Sequence, residues 1–185
     1  MIFRETALAG AWLVEPEPIA DARGSFARLA CAQTFAERGL NGRFDQISVS
    51  FNARAGTLRG LHLQRPPHAE TKLVRVTSGA VFDVIVDLRR GSSAYGRWFG
   101  AELSAANRLQ LYIPEGFAHG FQSLTDGAEV LYQIGQPYAP EAQDGVRWDD
   151  PDLGVAWPSP RTAIVSDRDR ALKPLAGFTP VEVPC

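Results

Sequence analysis

Apolar and polar residues alternate with a period of two along much of the chain, in short runs separated by Gly, Pro, Asn and Asp. These runs predict strands at Gly10 to Glu15, Phe44 to Phe51, Thr57 to Gln64, Thr71 to Leu88, Gly96 to Leu103, Gln110 to Ile113, onward from His119, and at Glu129 to Ile134. Helical periodicity rarely lasts three turns. Gln33 to Arg38, closed by Gly39, predicts one short helix, and Ser166-Asp-Arg-Asp169 has the capping-box form that starts another. The pattern is that of a β-sandwich or barrel, with everything from about Ala11 to Pro174 in one domain and an irregular, Pro-rich end.

Several strands carry more than packing. In Phe44 to Phe51, Ile47, Val49 and Phe51 share one face and Gln46, Ser48 and Ser50 the other, so the apolar row is predicted to pack while the polar row meets water or lines a site. In Thr57 to Gln64 the alternation sets Gly60, His62 and Gln64 opposite Arg59, Leu61 and Leu63, which leaves His62 on an unusual face for a core. Thr71 to Leu88 reads as a hairpin turning at Ser78-Gly79. Asp83 lies between Phe82 and Val84 in its second arm, where a carboxylate needs a cation or hydrogen-bond donors beside it. Pro114 to Phe121 turns the chain so that the next strand carries His119 inward. Tyr132 shares its face with Val130 and Ile134, which suits core packing, and a phenol with a pKa of about 10 is also a competent acid. Asp21 to Arg28 predicts a turn that projects Arg23 beside a Gly, where a guanidinium either meets solvent or grips a phosphate.

Composition narrows the class. The 185 residues suffice for a core without disulfides or structural metals. Hydrophobic residues make up 45% and charged ones 22%, with a net charge of −2, which fits neither a disordered chain nor a nucleic-acid-binding one. Cys31 and Cys185 form no CxxC and no disulfide framework, which suits a reducing compartment. The N-terminus lacks a basic stretch followed by an apolar run, and no segment approaches the ~18 apolar residues of a membrane span, so the cytoplasm is the expected location. Lys72 and Lys173 are the lysines among nineteen Lys and Arg residues, and a lysine is a compact donor that can sit over a developing oxyanion.

Taken together, Asp21-x-Arg-Gly, Arg59-Gly-Leu-His-x-Gln64, Lys72-Leu-Val, Phe82-Asp-Val-x-Val-Asp-Leu-Arg89, Ile113-Pro-x-Gly-Phe-Ala-His-Gly-Phe121, Tyr132, Trp148-x-Asp-Asp-Pro151 and Ser166-x-x-Asp169 resemble, in this order, the dTDP-4-dehydrorhamnose 3,5-epimerase family of RmlC-like cupins. The most specific pieces are Arg59 to Gln64 and Pro114 to Phe121. The resemblance implies an all-β cupin jelly roll with a few short helices, residues 1–185 forming a single cupin domain, with neither cofactor nor metal. It implies a homodimer in which the N-terminal part of one subunit reaches the other's site. It also implies the substrate, a nucleotide-linked 4-keto-6-deoxyhexose, and the conversion of dTDP-4-keto-6-deoxyglucose to dTDP-4-keto-L-rhamnose. Carried over by position, His62 matches the catalytic base, oriented by Asp169, Lys72 matches the neighbour of the 4-keto oxygen, and Tyr132 matches the proton donor on the opposite face of the sugar. Arg23 and Arg59 match arginines that contact the diphosphate, while Phe26, Gln46, His119, Asp83 and Tyr138 match residues that line or support the pocket. Two positions depart from the family: Ser48 stands where many members carry Asn, and Arg28 where many carry Glu, which leaves the sugar and the nucleotide open.

The chemistry explains these residue types. A hydrogen at C3 or C5 becomes acidic because the 4-ketone holds the resulting charge as an enolate, so a base and an oxyanion stabiliser must stand together. Inversion further needs an acid on the other face of the sugar. Three rivals share parts of the pattern. An epimerase acting at C3 alone keeps the fold, His62 and Lys72, with Tyr132 favouring C5 as well. A metal-dependent cupin wants a His-x-His pair, whereas Gln64 follows His62 and a lysine occupies position 72. A non-catalytic cupin that binds nucleotide sugars has no need of His62, Tyr132 and Asp169 together.

Overall fold

The computed structural model describes residues 1–183 of the chain, so Cys185 lies outside the described part. In chain order the strands are β1 (Ile2–Glu5), β2 (Trp12–Glu15), β3 (Ile19–Asp21) and β4 (Gly24–Phe26), followed by helix α1 (Ala32–Ala36). Next come β5 (Gln46–Asn52), β6 (Thr57–Gln64), β7 (Lys72–Ser78), β8 (Ala80–Asp87), β9 (Trp98–Ser104) and β10 (Gln110–Ile113). The last are β11 (Phe117–Ser123), β12 (Ala128–Ile134), β13 (Gln143–Gly145), β14 (Ile164–Val165) and helix α2 (Asp167–Arg170). One sheet has the order β1-β2-β10-β7-β12-β5, and a second has β13-β6-β11-β8-β9 with β14 alongside β6. β3 and β4 form a separate hairpin. The all-β jelly roll expected from the sequence is thus the observed fold, with few short helices.

Alternation decides what lies between the sheets. Val74 and Val76 of β7, Leu111 and Ile113 of β10, and Val130 of β12 meet Val81 and Ile85 of β8 with Phe117 and Phe121 of β11. At roughly 25 cal/mol per Å² of apolar area removed from water, this shared core is the main force holding the sheets face to face. The opposite residues of the second sheet, Leu61, Leu63, Val84 and Val86, are covered by Leu153, Trp157, Phe178 and Val181 from the irregular C-terminal segment. Phe35 of α1 packs with Val14, Leu73 and Tyr112 on the outer face of the first sheet.

Two expectations are corrected. Thr71 to Leu88 is no hairpin: β7 pairs with β10 and β12 in one sheet, while β8 pairs with β9 and β11 in the other. Gly79, at φ +69°, turns the chain from one sheet into the other, and a Cβ there would stand 2.2 Å from the Thr125 hydroxyl. The apolar row of β5 does not pack within the chain either: Ile47, Val49 and Phe51 are 66%, 57% and 60% exposed. β5 is the edge strand of its sheet, and its inner, polar row faces a cleft instead of the core.

Candidate active site

The cleft, of about 410 Å³, lies between the two sheets and is walled by both. On the first sheet the inner rows run Lys72, Ile134, Gln46 and then Val74, Tyr132, Ser48, as the registers of β7, β12 and β5 dictate. Gln46 donates to the Ser48 hydroxyl at 3.1 Å, and its side-chain oxygen accepts from the Tyr138 backbone N–H at 3.1 Å, which brings Tyr138 to the mouth. The Ser50 hydroxyl, next along β5, is buried without a hydrogen-bond partner.

On the second sheet the simple alternation of Thr57 to Gln64 fails, and the site depends on that failure. His62 pairs with His119 of β11, whereas Arg59 pairs with Phe121, so two residues of β6, Gly60 and Leu61, stand opposite the single Gly120 of β11. The bulge turns Arg59 to the same side as His62, and both line the cleft, while Leu58, Leu61 and Leu63 go to the outer cluster. Gly60 sits inside the bulge at φ +106°, and a Cβ there would stand 2.6 Å from the His119 carbonyl oxygen.

Asp169 reaches this bulge from the far end of the chain. β14 lies parallel to the start of β6, and Ser166 then caps α2 by accepting the Asp169 backbone N–H at 3.1 Å, as the capping-box pattern predicts. The carboxylate itself turns into the site. Its Oδ1 is 2.8 Å from His62 Nε2 and its Oδ2 accepts the Gly60 N–H at 2.9 Å. Burial opposes ionisation of Asp169, but the hydrogen bonds from His62 and Gly60 prevail and hold it below the ordinary carboxylate value. An imidazole whose Nε2 is fixed by a carboxylate presents Nδ1 as its free proton acceptor.

The second histidine is built differently. His119 Nε2 lies 2.9 Å from Asp83 Oδ2, with Asp83 fully buried, so the carboxylate in the middle of β8 has the partner its burial requires. The His119 ring meets Tyr132 edge-on, with centroids 5.9 Å apart. Burial, reinforced by the Asp83 charge and opposed by Arg59, pushes the Tyr132 phenol far above its ordinary value, which keeps it protonated. Arg59 is held by Asn52, which accepts from its Nε at 2.9 Å.

The structure therefore gathers His62, Asp169, Lys72, Tyr132, Arg59, Gln46, Ser48, His119 and Tyr138 around one cleft, with Asp83 behind His119. Arg23 and Phe26 are not brought there by their own chain. They stand on the β3–β4 hairpin over a separate surface hollow, where Arg23 is paired with Asp21 at 2.6 Å and Phe26 is 75% exposed. Gln64, in the cleft wall, spends its amide on the His68 and Pro137 carbonyls and the Ala139 N–H. Among the described residues no group of three or more His, Cys, Asp or Glu is placed to hold a metal ion. Sequence reasoning missed Glu70, Gln143 and Arg168, which also line the cleft. Glu70 could have been noticed as an acid two residues before Lys72, at the spacing that shares a strand face.

A β-sandwich with a His–Asp pair on one wall and a protonated phenol and an ammonium on the other is the architecture of a sugar epimerase of the cupin class, and the comparisons agree. A model of the family "dTDP-4-dehydrorhamnose 3,5-epimerase" matches residues 5–177, and the chain belongs to that family. It is 47% identical over 175 residues to the dTDP-4-dehydrorhamnose 3,5-epimerase of Methanothermobacter thermautotrophicus, covering 94% of each chain. The crystal structure of the Legionella pneumophila enzyme in complex with dTDP-4-keto-L-rhamnose superposes with a TM-score of 0.92 at 35% identity, covering 100% of this chain and 99% of that one. A 3'-monoepimerase from Streptomyces bikiniensis in complex with dTDP-quinovose is also 35% identical, with a TM-score of 0.85 over 92% of this chain and 86% of that one. A double mutant of that monoepimerase has a histidine and a tyrosine replaced.

Proposed function

We propose that the protein is a cofactor-independent 3,5-epimerase that converts dTDP-4-keto-6-deoxyglucose to dTDP-4-keto-L-rhamnose. The observation that supports this reading is that the His62–Asp169 pair and the Tyr132 phenol stand on opposing sheets and line one cleft, where they suit a base and an acid. A sugar lying between them loses its C3 or C5 proton to His62, and the electrons move onto the 4-keto oxygen. Lys72, beside Tyr132 on the first sheet, donates to the enolate that forms. Tyr132 then returns a proton from the opposite face, and the carbon is inverted. Asp169 keeps the His62 ring in one tautomer and stabilises the imidazolium, while Arg59 meets the diphosphate. Gln46, Ser48, His119 and Tyr138 border the sugar and the nucleotide, with Asp83 fixing His119.

The homodimer belongs to this reading. Arg23 and Phe26 reach a cleft only if a second copy brings its own, and they sit on a hairpin whose Ile19 and Phe26 are 77% and 75% exposed. The bare row of Ile47, Val49 and Phe51 supplies an apolar face beside the cleft for that copy to cover. Sedimentation of the wild type as a dimer, and of Val49→Asp as a monomer with reduced turnover, is the expected result; a wild-type monomer with full activity overturns it.

The activity is tested by incubating the protein with dTDP-4-keto-6-deoxyglucose in deuterated water and following C3 and C5 by NMR. Deuterium at both carbons with inversion is the expected result. The monoepimerase relative gives weight to a second reading, action at C3 alone. Inversion at C5, present in the first reading and absent in the second, separates the two.

A further inference from the structure

We propose that Glu70 is the positioning residue for Lys72, holding its ammonium toward the sugar carbonyl and away from the diphosphate; this rests on the epimerase reading above. Glu70 Oε1 lies 2.8 Å from Lys72 Nζ, each side chain is only 10% exposed, and both line the cleft. The other carboxylate lining the cleft, Asp169, is committed to His62 and the Gly60 N–H. Glu70 is thus the cleft carboxylate paired with the cation whose direction matters.

A lysine needs such a partner more than an arginine does. Its ammonium is a point charge on a flexible four-carbon stem, with three donors that rotate freely. A bound substrate offers it two acceptors: a carbonyl oxygen, weakly charged until the enolate forms, and a diphosphate, strongly charged throughout. Coulomb attraction alone would draw a free ammonium to the diphosphate, where it would strengthen binding without helping the transition state. The Glu70 carboxylate holds one of the three N–H donors and leaves two for the cleft, so the charge is in place before the enolate appears. The backbone that carries Glu70 is itself fixed. Ala69 and Thr71 on either side are buried, the His68 carbonyl accepts from Gln64, and the Thr71 hydroxyl accepts from Asn41.

The test is a mutant cycle on dTDP-4-keto-6-deoxyglucose, read as kcat, KM and deuterium entry at C3 and C5. Glu70→Ala is expected to lower kcat about tenfold or more, with both carbons slowed by the same factor because one oxyanion serves both. KM should stay level or fall. Glu70→Gln, which keeps an oxygen acceptor, should lie between. In a Lys72→Ala background, followed at high enzyme concentration, the second substitution should change the remaining rate by no more than about twofold. An unchanged or raised kcat in both Glu70 variants overturns the inference, as do slowing at one carbon only, a raised KM, or full additivity with Lys72→Ala. If Glu70→Ala does not fold, the isosteric Glu70→Gln gives the same comparison. A wild type that exchanges neither carbon fails differently, since it overturns the epimerase reading itself and the inference with it.

Discussion

His62 and Asp169 are 107 positions apart, yet their side chains meet at 2.8 Å because β14 runs beside the start of β6 and α2 follows at once. The same carboxylate accepts the Gly60 N–H, so the ring, the bulge and the cap of α2 are fixed by one residue. Asp169→Asn retains the size of the side chain and can present an N–H to His62 Nε2 in place of an acceptor. The ring would then be held in the wrong tautomer and the imidazolium would lose its counter-charge. Deuterium entry at C3 and C5 is expected to fall roughly 10²–10⁴-fold, with dTDP affinity unchanged by calorimetry. Rates within threefold of wild type would remove Asp169 from the mechanism.

Tyr132→Phe separates exchange from inversion. His62 can still take the proton and, after its imidazolium trades with solvent, return deuterium to the same face. Without a donor on the first sheet, nothing protonates the opposite face. NMR should show deuterium entering with the original configuration kept, while inverted product falls by about two orders of magnitude or more. Inversion at wild-type speed would assign the donor to another group. The raised phenol pKa also fixes a sign: Tyr132 stays protonated as pH rises through the ordinary phenol range, so the acid role proposed for it imposes no alkaline loss of activity below about pH 10.

Much of this was legible in the sequence, and the exceptions share a cause. Alternation marks which residues of a strand share a face, but not which face meets a core, a cleft or a neighbouring molecule. Gln46, Ser48 and Ser50 were visible as a polar row, while the exposure of Ile47, Val49 and Phe51 was not. Local signals also cannot say whether two consecutive strands pair or face one another, so Ser78-Gly79 read as a hairpin when it is the corner between sheets. A strict period of two puts Arg59 on the wrong side of β6, because a bulge breaks that period and the local hint of it is the Gly at its centre. The site candidates other than Arg23 and Phe26, which the resemblance gave as substrate-binding residues, are gathered at one cleft, and what pointed to them was the motifs of a family, which encode long-range contacts that periodicity does not.

Gly60→Ala tests the bulge directly. The new methyl would stand 2.6 Å from the His119 carbonyl oxygen and 2.7 Å from the Gly120 Cα, in a backbone conformation that L-residues avoid. Both neighbours are backbone of the adjacent strand and have little room to yield. Destabilisation of about 2 kcal/mol or more is expected in urea unfolding, together with loss of exchange, because Arg59 and His62 would no longer share a face. A variant of wild-type stability would show that the bulge tolerates a side chain.

Far from the cleft, Asp87 and Arg89 lock the end of β8. The carboxylate accepts from Arg89 at 2.7 Å and from the Ser92 hydroxyl at 2.7 Å, while the guanidinium also reaches the Ala9 carbonyl and covers the Phe117 ring at 4.6 Å. Burial raises the Asp87 pKa, but the bonds from Arg89 and Ser92 outweigh it and leave the group below its ordinary 3.8. A depressed folded-state value gives stability that is present in full above the unfolded pKa and lost as pH falls through the folded one. Asp87→Asn should therefore cost ~3 kcal/mol at pH 7, since it removes the charge opposite a buried guanidinium. The gap between wild type and variant in urea midpoints should hold steady down to about pH 5 and narrow only below about pH 4. A gap that widens on acidification would mean that Asp87 is protonated in the folded protein and that Arg89 is held by its other contacts.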